Sequence, residues 1–460
     1  MRRVLILAAG VALLAHSRAQ AQAAPLFAPI RSDETYGYLK DPARRASDLD
    51  VIRFIPLDSP DSVYLSLGGE TRLGLVRFHS SRFGIGSQRD TFGLSRTLLH
   101  ADLHLGDWLR VYGELGNHFT MGKAPPYLPS DRDRLDVQNL FVDVILDDDE
   151  ARLRLRGGRQ ELMFNPTQRF VSVREGPNIR QSFDGVRLTW KPHNWRIDAF
   201  ATHPIVYKPG AFDDASDDNQ TFSGVYISRS FKRGTSLLTA EAYVFNLDKH
   251  GAKYGAFTGK EARTSLGLRL AGNRGPWDFD WEGMAQTGRF AGRDIRAAGF
   301  GLDTGYTISA PWSPRLGFRV DGGSGDHDPA DHKLGTFNPM FPRGGYFNES
   351  NLDSYINRRS LRAGVRVKPR SDLSVEVSTS SRWRDSTADA IYLQPLTALA
   401  GTAGRGGRWV GQAYAIDANW RPTRNLNFVG EVVHETAGDV IHQAGGRRAD
   451  FLMLAAQFRF

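Results

Sequence analysis

Arginine is the residue whose spacing suggests chemistry in this chain. "ARLRLRGGRQEL" (151–162) carries Arg152, Arg154 and Arg156 at alternate positions, and "NRRSLRAGVRV" (357–367) carries Arg362 and Arg366. Alternate side chains of an extended segment share one face, so each run presents a row of guanidinium groups. A guanidinium stays charged at any working pH and binds carboxylates or phosphates through two parallel hydrogen bonds. Of the 59 basic residues, 49 are arginine and 10 are lysine. The chemistry that this pattern indicates is anion binding.

Catalytic and metal-binding patterns are weak by comparison. The chain has no cysteine, which excludes disulfides, thiolate metal sites and a cysteine nucleophile. His118, His203 and His434 are scattered singly, whereas acid–base catalysis needs mutually oriented partners. "DHDPADH" (326–332) has metal-like spacing, but it falls in a long polar segment where acidic residues are common. We therefore predict no enzyme activity, no cofactor and no metal.

The elements that would position the arginines are strands. Apolar and polar residues alternate with a period of two in segments of about ten residues, as in transmembrane β-barrels. Eighteen such segments follow one another: 64–78, 93–105, 108–119, 136–146, 151–162, 181–190, 195–203, 221–231, 235–246, 262–272, 277–288, 294–308, 314–323, 357–367, 372–384, 409–420, 425–436 and 449–460.

The connections between these segments alternate between short and long. Short ones such as 106–107, 191–194 and 232–234 are rich in the residues that tight turns need. Long polar ones are expected at 120–135, 163–180, 204–220, 247–261, 324–356 and 385–408. This asymmetry predicts an all-β fold, a transmembrane antiparallel β-barrel of about 18 strands with short periplasmic turns and long extracellular loops. A soluble propeller or sandwich would show blade or Greek-key periods instead.

The two ends of the chain support export to an outer membrane. Residues 1–21 have a basic start, an apolar run and A-x-A sites, so we predict a signal peptide, with cleavage after 21 or 23. Residues 22–62 then form an N-terminal periplasmic segment and 63–460 the barrel. The last strand must pair with the first, because an open edge in lipid leaves backbone groups unsatisfied. Its terminal Phe460 resembles an assembly signal, so the expected partners are outer-membrane lipid and the barrel-assembly machinery, with no nucleic acid.

The charged face of each strand is expected to line the lumen, because arginine facing lipid costs about 2–4 kcal/mol at mid-bilayer. Carboxylates such as Glu70 and Glu376 share this face, which leaves two interpretations open. Arginine and carboxylate could pair across strands and brace the wall, or unpaired arginines could attract and pass an anion. Runs 152–156 and 358–366 contain no acid, which favours an anion path. The arginines assigned to the lumen are Arg72, Arg110, Arg152, Arg154, Arg156, Arg196, Arg263, Arg269, Arg315, Arg319, Arg362, Arg366, Arg382, Arg384 and Arg459.

Two stretches are more specific than barrel wall: "GRQELMFNPTQRFVSVREGPNIRQSFDGVRL" (158–188) and "GSGDHDPADHKLGTFNPMFPRGGYFNESNLDS" (323–354). At these residues the chain resembles the alginate export family of outer-membrane channels. The resemblance implies an eighteen-stranded barrel that passes an anionic polysaccharide. By match with the motifs, it implies substrate contacts at Arg159, Glu161, Asn178, Arg180, Asp184, Arg187, Arg382 and Arg384. Periplasmic secretion components are possible further partners.

Segment 324–356 is a candidate gate. It opens with a flexible glycine-rich start and then becomes apolar, and exposed aromatics above a membrane would be sticky. We therefore expect Phe337, Asn338 and Phe341 to fold over the lumen, to place Arg343 near the path and to pack against 163–180; a loop packed on the rim is the alternative. A porin that takes up small anions or organic acids and a non-conducting barrel remain as rival functions.

Overall fold

A computed structural model describes residues 27–59, 62–86, 89–123, 125, 127–147, 151–394 and 396–460. The predicted signal peptide, 1–21, lies outside the described residues. Eighteen long strands follow in chain order: β1 Val63–His79, β2 Arg89–Leu105, β3 Leu109–Met121, β4 Asp133–Asp147, β5 Ala151–Glu161, β6 Ser182–Pro192, β7 Trp195–Val206, β8 Gln220–Arg233, β9 Ser236–Tyr254, β10 Phe257–Arg274, β11 Trp277–Phe290, β12 Arg293–Thr307, β13 Arg315–Gly323, β14 Arg358–Arg370, β15 Leu373–Trp383, β16 Trp409–Trp420, β17 Leu426–Glu435 and β18 Ala449–Arg459. Each overlaps one of the eighteen predicted segments.

The strands close into a barrel. Every long strand pairs antiparallel with its neighbours in sequence, and β1 pairs with β18 from Glu70–Arg459 to His79–Asp450. Phe460 extends this ladder, since its N–H donates to the Gly69 carbonyl at 3.0 Å and its carbonyl accepts from the Gly69 N–H at 3.0 Å. The predicted pairing of the last strand with the first is therefore confirmed, and the closed ladder leaves no edge facing lipid.

The two faces of the wall differ in chemistry. On β10, Leu266 and Leu268 point outward, and Leu268 is 64% exposed. Arg263, Ser265 and Arg269 alternate with them and are buried. The same alternation of outward apolar and inward polar residues recurs around the barrel, as a lipid-facing wall with a polar interior requires.

Short turns lie at the end of the barrel that holds the last residue, and long loops lie at the other end. The long-end connections are L1 (80–88), L2 (122–132), L3 (162–181), L4 (207–219), L5 (255–256), L6 (291–292), L7 (324–357), L8 (384–408) and L9 (436–448). The expected long loop 247–261 is wrong: β9 and β10 extend as a hairpin to Tyr254 and Phe257, around a bulge between Lys249 and Ala252. The polar composition of that hairpin reflects strands that project beyond the membrane.

Helix is confined to short pieces. The α-helices are α1 (Asp50–Arg53) and α2 (Asp439–Gln443), and 3-10 turns occupy Arg31–Asp33, Gly37–Lys40, Pro42–Arg44, Ser81–Gly84 and Gly344–Tyr346. Within the described ranges, none of the helices has the length and apolar character needed to cross a membrane.

The N-terminal segment packs at the short-turn end. Arg31 donates from Nη1 to the Gly69 carbonyl and from Nη2 to the Phe460 carbonyl, both at 2.8 Å. Pro29 O accepts from Arg180 Nη2 of L3 at 2.6 Å. Residues 29–31 therefore reach from the chain terminus to a loop that enters from the opposite end.

Candidate functional site

L7 lies inside the barrel rather than on its rim. Phe337 and Phe341 are buried, and the Phe341 ring lies 4.9 Å from that of Phe183 on β6 and 5.0 Å from that of Phe222 on β8. Both partners project from the inner face of the wall. Burial of these rings against the wall supplies the apolar surface that keeps the loop in the lumen.

L3 and L7 form one body. A parallel bridge joins Val171 to Phe341, with Ser172 N–H donating to Phe341 O at 2.9 Å and Phe341 N–H to Phe170 O at 3.1 Å. The Phe170 ring packs against Phe337 with a centroid separation of 5.5 Å. Because the backbones are paired, displacement of either loop from the lumen disturbs the other.

Polar anchors tie this body to the wall. Asn338 N–H donates to Gln286 Oε1 at 3.0 Å, and Gln286 Nε2 donates back to Asn338 O at 2.6 Å. Arg169 of L3 donates to Glu282 Oε2 at 2.7 Å and to the Tyr346 hydroxyl of L7 at 3.1 Å. Asn338 and Arg169 thus hold both loops against β11.

L3 also contributes a charge to a network at the barrel seam. The Glu175 carboxylate accepts from Arg96 and, at 2.6 Å, from Arg180. Arg96 Nε lies 2.9 Å from Glu70, which also accepts from Arg459 Nε at 3.0 Å. Burial alone would raise the pKa of Glu175, but Arg96 and Arg180 hold it well below its usual range. This network fixes L3 as an ionised bridge between the seam and the lumen.

The first arginine run is paired by the neighbouring strand. Arg156 makes two hydrogen bonds to Asp143, at 2.7 and 2.8 Å, and Arg152 pairs with Asp147 at 2.5 Å on the exposed rim. Arg154 Nη1 lies 3.9 Å from Asp143 and makes no hydrogen bond to a carboxylate among the described residues. The absence of acid within 152–156 therefore did not predict that these arginines are unpaired. The register of β4 and β5 across their short turn sets Asp143 opposite Arg156. Counting residues back from the turn would have predicted this ion pair.

The second run is paired in the same way. Glu376 of β15 accepts from both Arg362 and Arg366 at 2.5 Å. Arg382 lies 2.9 Å from Asp353 of L7 and also contacts Glu435 of β17. These arginines brace the wall and L7, which agrees with the interpretation of cross-strand pairing.

Arg384 does not line the lumen. It follows the last residue of β15 and donates to backbone carbonyls of L8, including Thr402 O at 2.7 Å and Gly407 O at 2.8 Å. Its assignment to the lumen is corrected for that reason: the guanidinium donates to carbonyls of L8 that lie outside the short ladder between Tyr392–Leu393 and Thr397–Ala398. Of the other predicted wall arginines, Arg110 pairs with Asp102 at 2.6 Å.

The matched motif residues pair with one another. Arg159 binds Asp184 through two hydrogen bonds at 2.9 and 3.1 Å, and Glu161 accepts two from Arg180 at 2.7 and 2.8 Å. "GRQE" and the following "NIRQSFDGVRL" are thus complementary halves of one structure.

The rest of the second motif joins the loops to the wall. Asn178 Nδ2 donates to Phe119 O at 3.0 Å and Ser95 O at 3.2 Å, and Arg187 pairs with Asp198 at 2.7 Å. Gly185 has φ +154, and a Cβ there would lie 2.2 Å from Ala201 O, so the "FDGVR" segment requires glycine at this position. The second motif therefore fixes the packing at the point where L3 returns to the wall.

A smaller set of arginines lacks a close carboxylate. Arg72 donates to the Glu175 carbonyl at 2.5 Å, with its nearest carboxylate oxygen at 3.9 Å. Arg174 of L3 donates to Gln181 at 3.2 Å, and burial lowers its pKa. Arg343 of L7 is half-buried, and among the described residues its side chain has no hydrogen bond or ion pair. Together with Arg154, they are cationic groups with capacity for an external anion.

An open cavity of about 320 Å³ lies between the wall and the two loops. Thr167 and Arg169 of L3, Tyr346 of L7, and the wall residues Asp278 and Arg315 contribute to its lining. Asp278 and Arg315 lie at the short-turn ends of β11 and β13, so the cavity extends to that end of these strands. The cavity is large enough for a small organic molecule and has both charge signs on its walls.

The sequence identified the residues of the candidate gate but not the arginine–carboxylate network that anchors L3. Phe337, Asn338, Phe341 and Arg343 occupy the lumen together with L3. Arg96 and Glu175 were missed as anchors, although Arg96 lies on the inward face of a predicted strand and Glu175 within the first motif.

Comparisons with known proteins agree with this architecture. The model of the family described as "Alginate export" matches residues 63–455. No curated protein sequence matches the chain. Three similar solved structures are from Pseudomonas aeruginosa. OccK2 (OpdF) in complex with glucuronate has 12% identity and a TM-score of 0.52 over 86% of this chain and 96% of that one. OpdK with vanillate has 12% identity and a TM-score of 0.53 over 86% of this chain and 98% of that one. OpdO has 12% identity and a TM-score of 0.55 over 86% of this chain and 97% of that one. At these identities the likeness shows the fold.

Proposed function

The chain belongs to the alginate export family, and on that premise we propose that it passes an anionic polysaccharide of the alginate class through its lumen. The family places it in the outer membrane of a Gram-negative bacterium. It works as a channel rather than as an enzyme.

The observation that carries the proposal is the set of arginines with spare hydrogen-bonding capacity. Arg72, Arg154, Arg174 and Arg343 lack a carboxylate within hydrogen-bond distance among the described residues. A polymer with one carboxylate per sugar would replace water around such groups at successive positions along the path. Paired arginines such as Arg156 stabilise the wall. They attract the polymer less than the unpaired arginines do, because a carboxylate already compensates their charge.

Ion selectivity tests this directly. In planar bilayers under a salt gradient, the reversal potential should show anion preference, and an uronate oligomer added to one side should block the current for longer as its length increases. Cation preference, or block that does not depend on oligomer length, contradicts passage of a polymer.

The joined body of L3 and L7 would have to move for a polymer to pass, so we assign it the role of gate. On this proposal, Phe337 and Phe341, which are buried against the wall, would block the lumen, and glycines near the start of L7 would provide the hinge. Deletion of 328–348 should raise single-channel conductance and change its noise, in protein whose heat-modifiable gel mobility shows a folded barrel. Unchanged conductance and noise in that variant would show that L7 is not the gate.

Uptake of a small organic anion is the second candidate, and the 320 Å³ cavity favours it because a single sugar acid fits such a volume. Two proteins of similar fold were solved with small carboxylates, glucuronate and vanillate. Liposome influx separates the functions. Rapid entry of glucuronate with no length-dependent block by oligomers supports uptake, whereas the reverse pattern supports export.

Two further partners belong to the proposal. Residues 22–62 would act as a periplasmic segment, which is supported by the contacts of Arg31 with Gly69 and of Pro29 with Arg180. A periplasmic secretion component would meet the channel there. The final strand, ending at Phe460, presents itself to the barrel-assembly machinery during insertion.

A further inference from the structure

Three carboxylates from separate parts of the chain meet at the loop end of the barrel. Asp133 and Asp136 lie at the start of β4 and Asp214 lies in L4, and each offers an oxygen within 4.8 Å of the others. L4 runs alongside β4, with Phe212 N–H donating to Leu135 O at 2.9 Å. This backbone hydrogen bond between L4 and β4 brings the three carboxylates together although their charges repel one another.

The hydrogen bonds of this cluster leave oxygens free. Asp136 accepts at both oxygens, from Val137 N–H at Oδ1 (2.7 Å) and from the N–H groups of Asp213 and Asp214 at Oδ2 (2.8 and 3.0 Å). Asp214 accepts from Lys208 N–H at Oδ1 (2.7 Å). Asp133 is only 2% exposed, yet its Oδ1 has no hydrogen-bond partner in the described part of the chain. An unsatisfied buried carboxylate oxygen is costly unless a ligand satisfies it.

A histidine outside the cluster points to the same ligand. His118 on β3 is fully buried, and neither ring nitrogen has a hydrogen-bond partner among the described residues. Its Nδ1 lies 3.3 Å from Asp133 Oδ2. A buried, unpartnered imidazole therefore faces one oxygen of Asp133, and the other oxygen of that carboxylate is free for a metal ion.

Among the described residues, no cationic side chain makes a hydrogen bond to the carboxylates of the cluster. Arg159 Nη1 lies 3.8 Å from Asp136 Oδ1, but the guanidinium donates twice to Asp184 and once to Val137 O. The three carboxylates therefore face one another at close range with no cation of the described residues hydrogen-bonded to them.

We propose that Asp133, Asp136 and Asp214 bind one divalent cation of the calcium class. All three donors are carboxylate oxygens, which suit a hard cation, and calcium accepts water and carbonyl oxygens for the rest of its six to eight ligands. The site faces the exterior, where calcium-binding modules work at dissociation constants on the order of 10⁻⁴–10⁻³ M.

A cation at this position would fasten L4 to β4. L4 also carries Tyr207, whose hydroxyl donates to Arg180 O and accepts from Ser182 N–H, both at 2.6 Å. The ion would therefore stabilise the point where L3 returns to the wall.

Calcium titration of the full chain in lipopolysaccharide-free detergent, after dialysis against a chelator, tests the site. Calorimetry with CaCl₂ should detect one ion per chain. Asp214→Asn should weaken binding by about tenfold or more, because one charged ligand is lost. Asp218→Asn is the matched control, since it removes the same charge from an exposed position in the same loop and should leave the affinity unchanged.

Folding does not confound this comparison, because Asp214→Asn lowers repulsion and gel mobility reports an intact barrel. Wild-type protein that binds no calcium overturns the proposal. So does equal weakening by both substitutions, or binding of zinc through His118 without binding of calcium.

Discussion

Arg169 is the side chain whose loss should release the loops from the lumen. It is fully buried, and its guanidinium joins L3 to Glu282 of β11 at 2.7 Å and to the Tyr346 hydroxyl of L7 at 3.1 Å. Arg169→Met keeps much of the side-chain volume and removes the charge. Glu282, which is 2% exposed, would keep only the hydrogen bond from the Tyr243 hydroxyl at 2.7 Å.

The magnitude follows from the burial of the pair. Removal of one partner of a buried ion pair costs about 3–5 kcal/mol, mostly because the remaining charge is left without compensation. Even the lower figure changes the ratio of released to seated loops by about a hundredfold. The free energy is lost from the seated state only, because the long strands keep their backbone ladders.

Single-channel recording is the assay, with a folded barrel verified by gel mobility. Arg169→Met should show larger conductance or frequent transitions to a larger level. Glu282→Gln in the same chain should restore most of the wild-type trace, since it removes the stranded charge and retains an acceptor for Tyr243. Arg152→Met is the control: its pair with Asp147 is exposed, at 56% and 40% of the two side chains, and such pairs contribute about 0–1 kcal/mol. A wild-type trace from Arg169→Met would show that this ion pair does not hold the loops in the lumen.

Three further outcomes are expected. Leu268→Arg on the lipid face should lower the free energy of unfolding in vesicles by about 2–4 kcal/mol, and an unchanged urea midpoint would contradict its outward position. Arg154→Gln should reduce the anion-to-cation permeability ratio roughly fivefold, which corresponds to about 1 kcal/mol for a hydrated charge, without loss of stability; an unaltered reversal potential would remove Arg154 from the path. Gly185→Ala should prevent formation of the folded gel band because its Cβ would lie 2.2 Å from Ala201 O, whereas Gly157→Ala, with open space around its Cβ, should fold normally; equal folding of both would show that the backbone relaxes.

The amino-acid sequence determined the wall of this protein. Alternation is a local property of a strand, since the faces of successive residues follow from the backbone alone. The eighteen segments and the short turns could therefore be predicted without tertiary information. The hairpin at Tyr254 and Phe257 was missed, because strands that extend into water lose the apolar face that marks them in lipid.

Which charges are available to an anion depends on the folded barrel. Register across β4 and β5 sets Asp143 opposite Arg156, and the inward path of L3 brings Glu175 to Arg96, which lies 79 residues away in sequence. Ion-pair partners of this kind depend on how distant segments fold back into a shared lumen. The type of a single side chain does not predict that path. Whether an arginine braces the wall or contacts an anion depends on whether a carboxylate lies within hydrogen-bond distance of it. That distance is set only when the barrel closes.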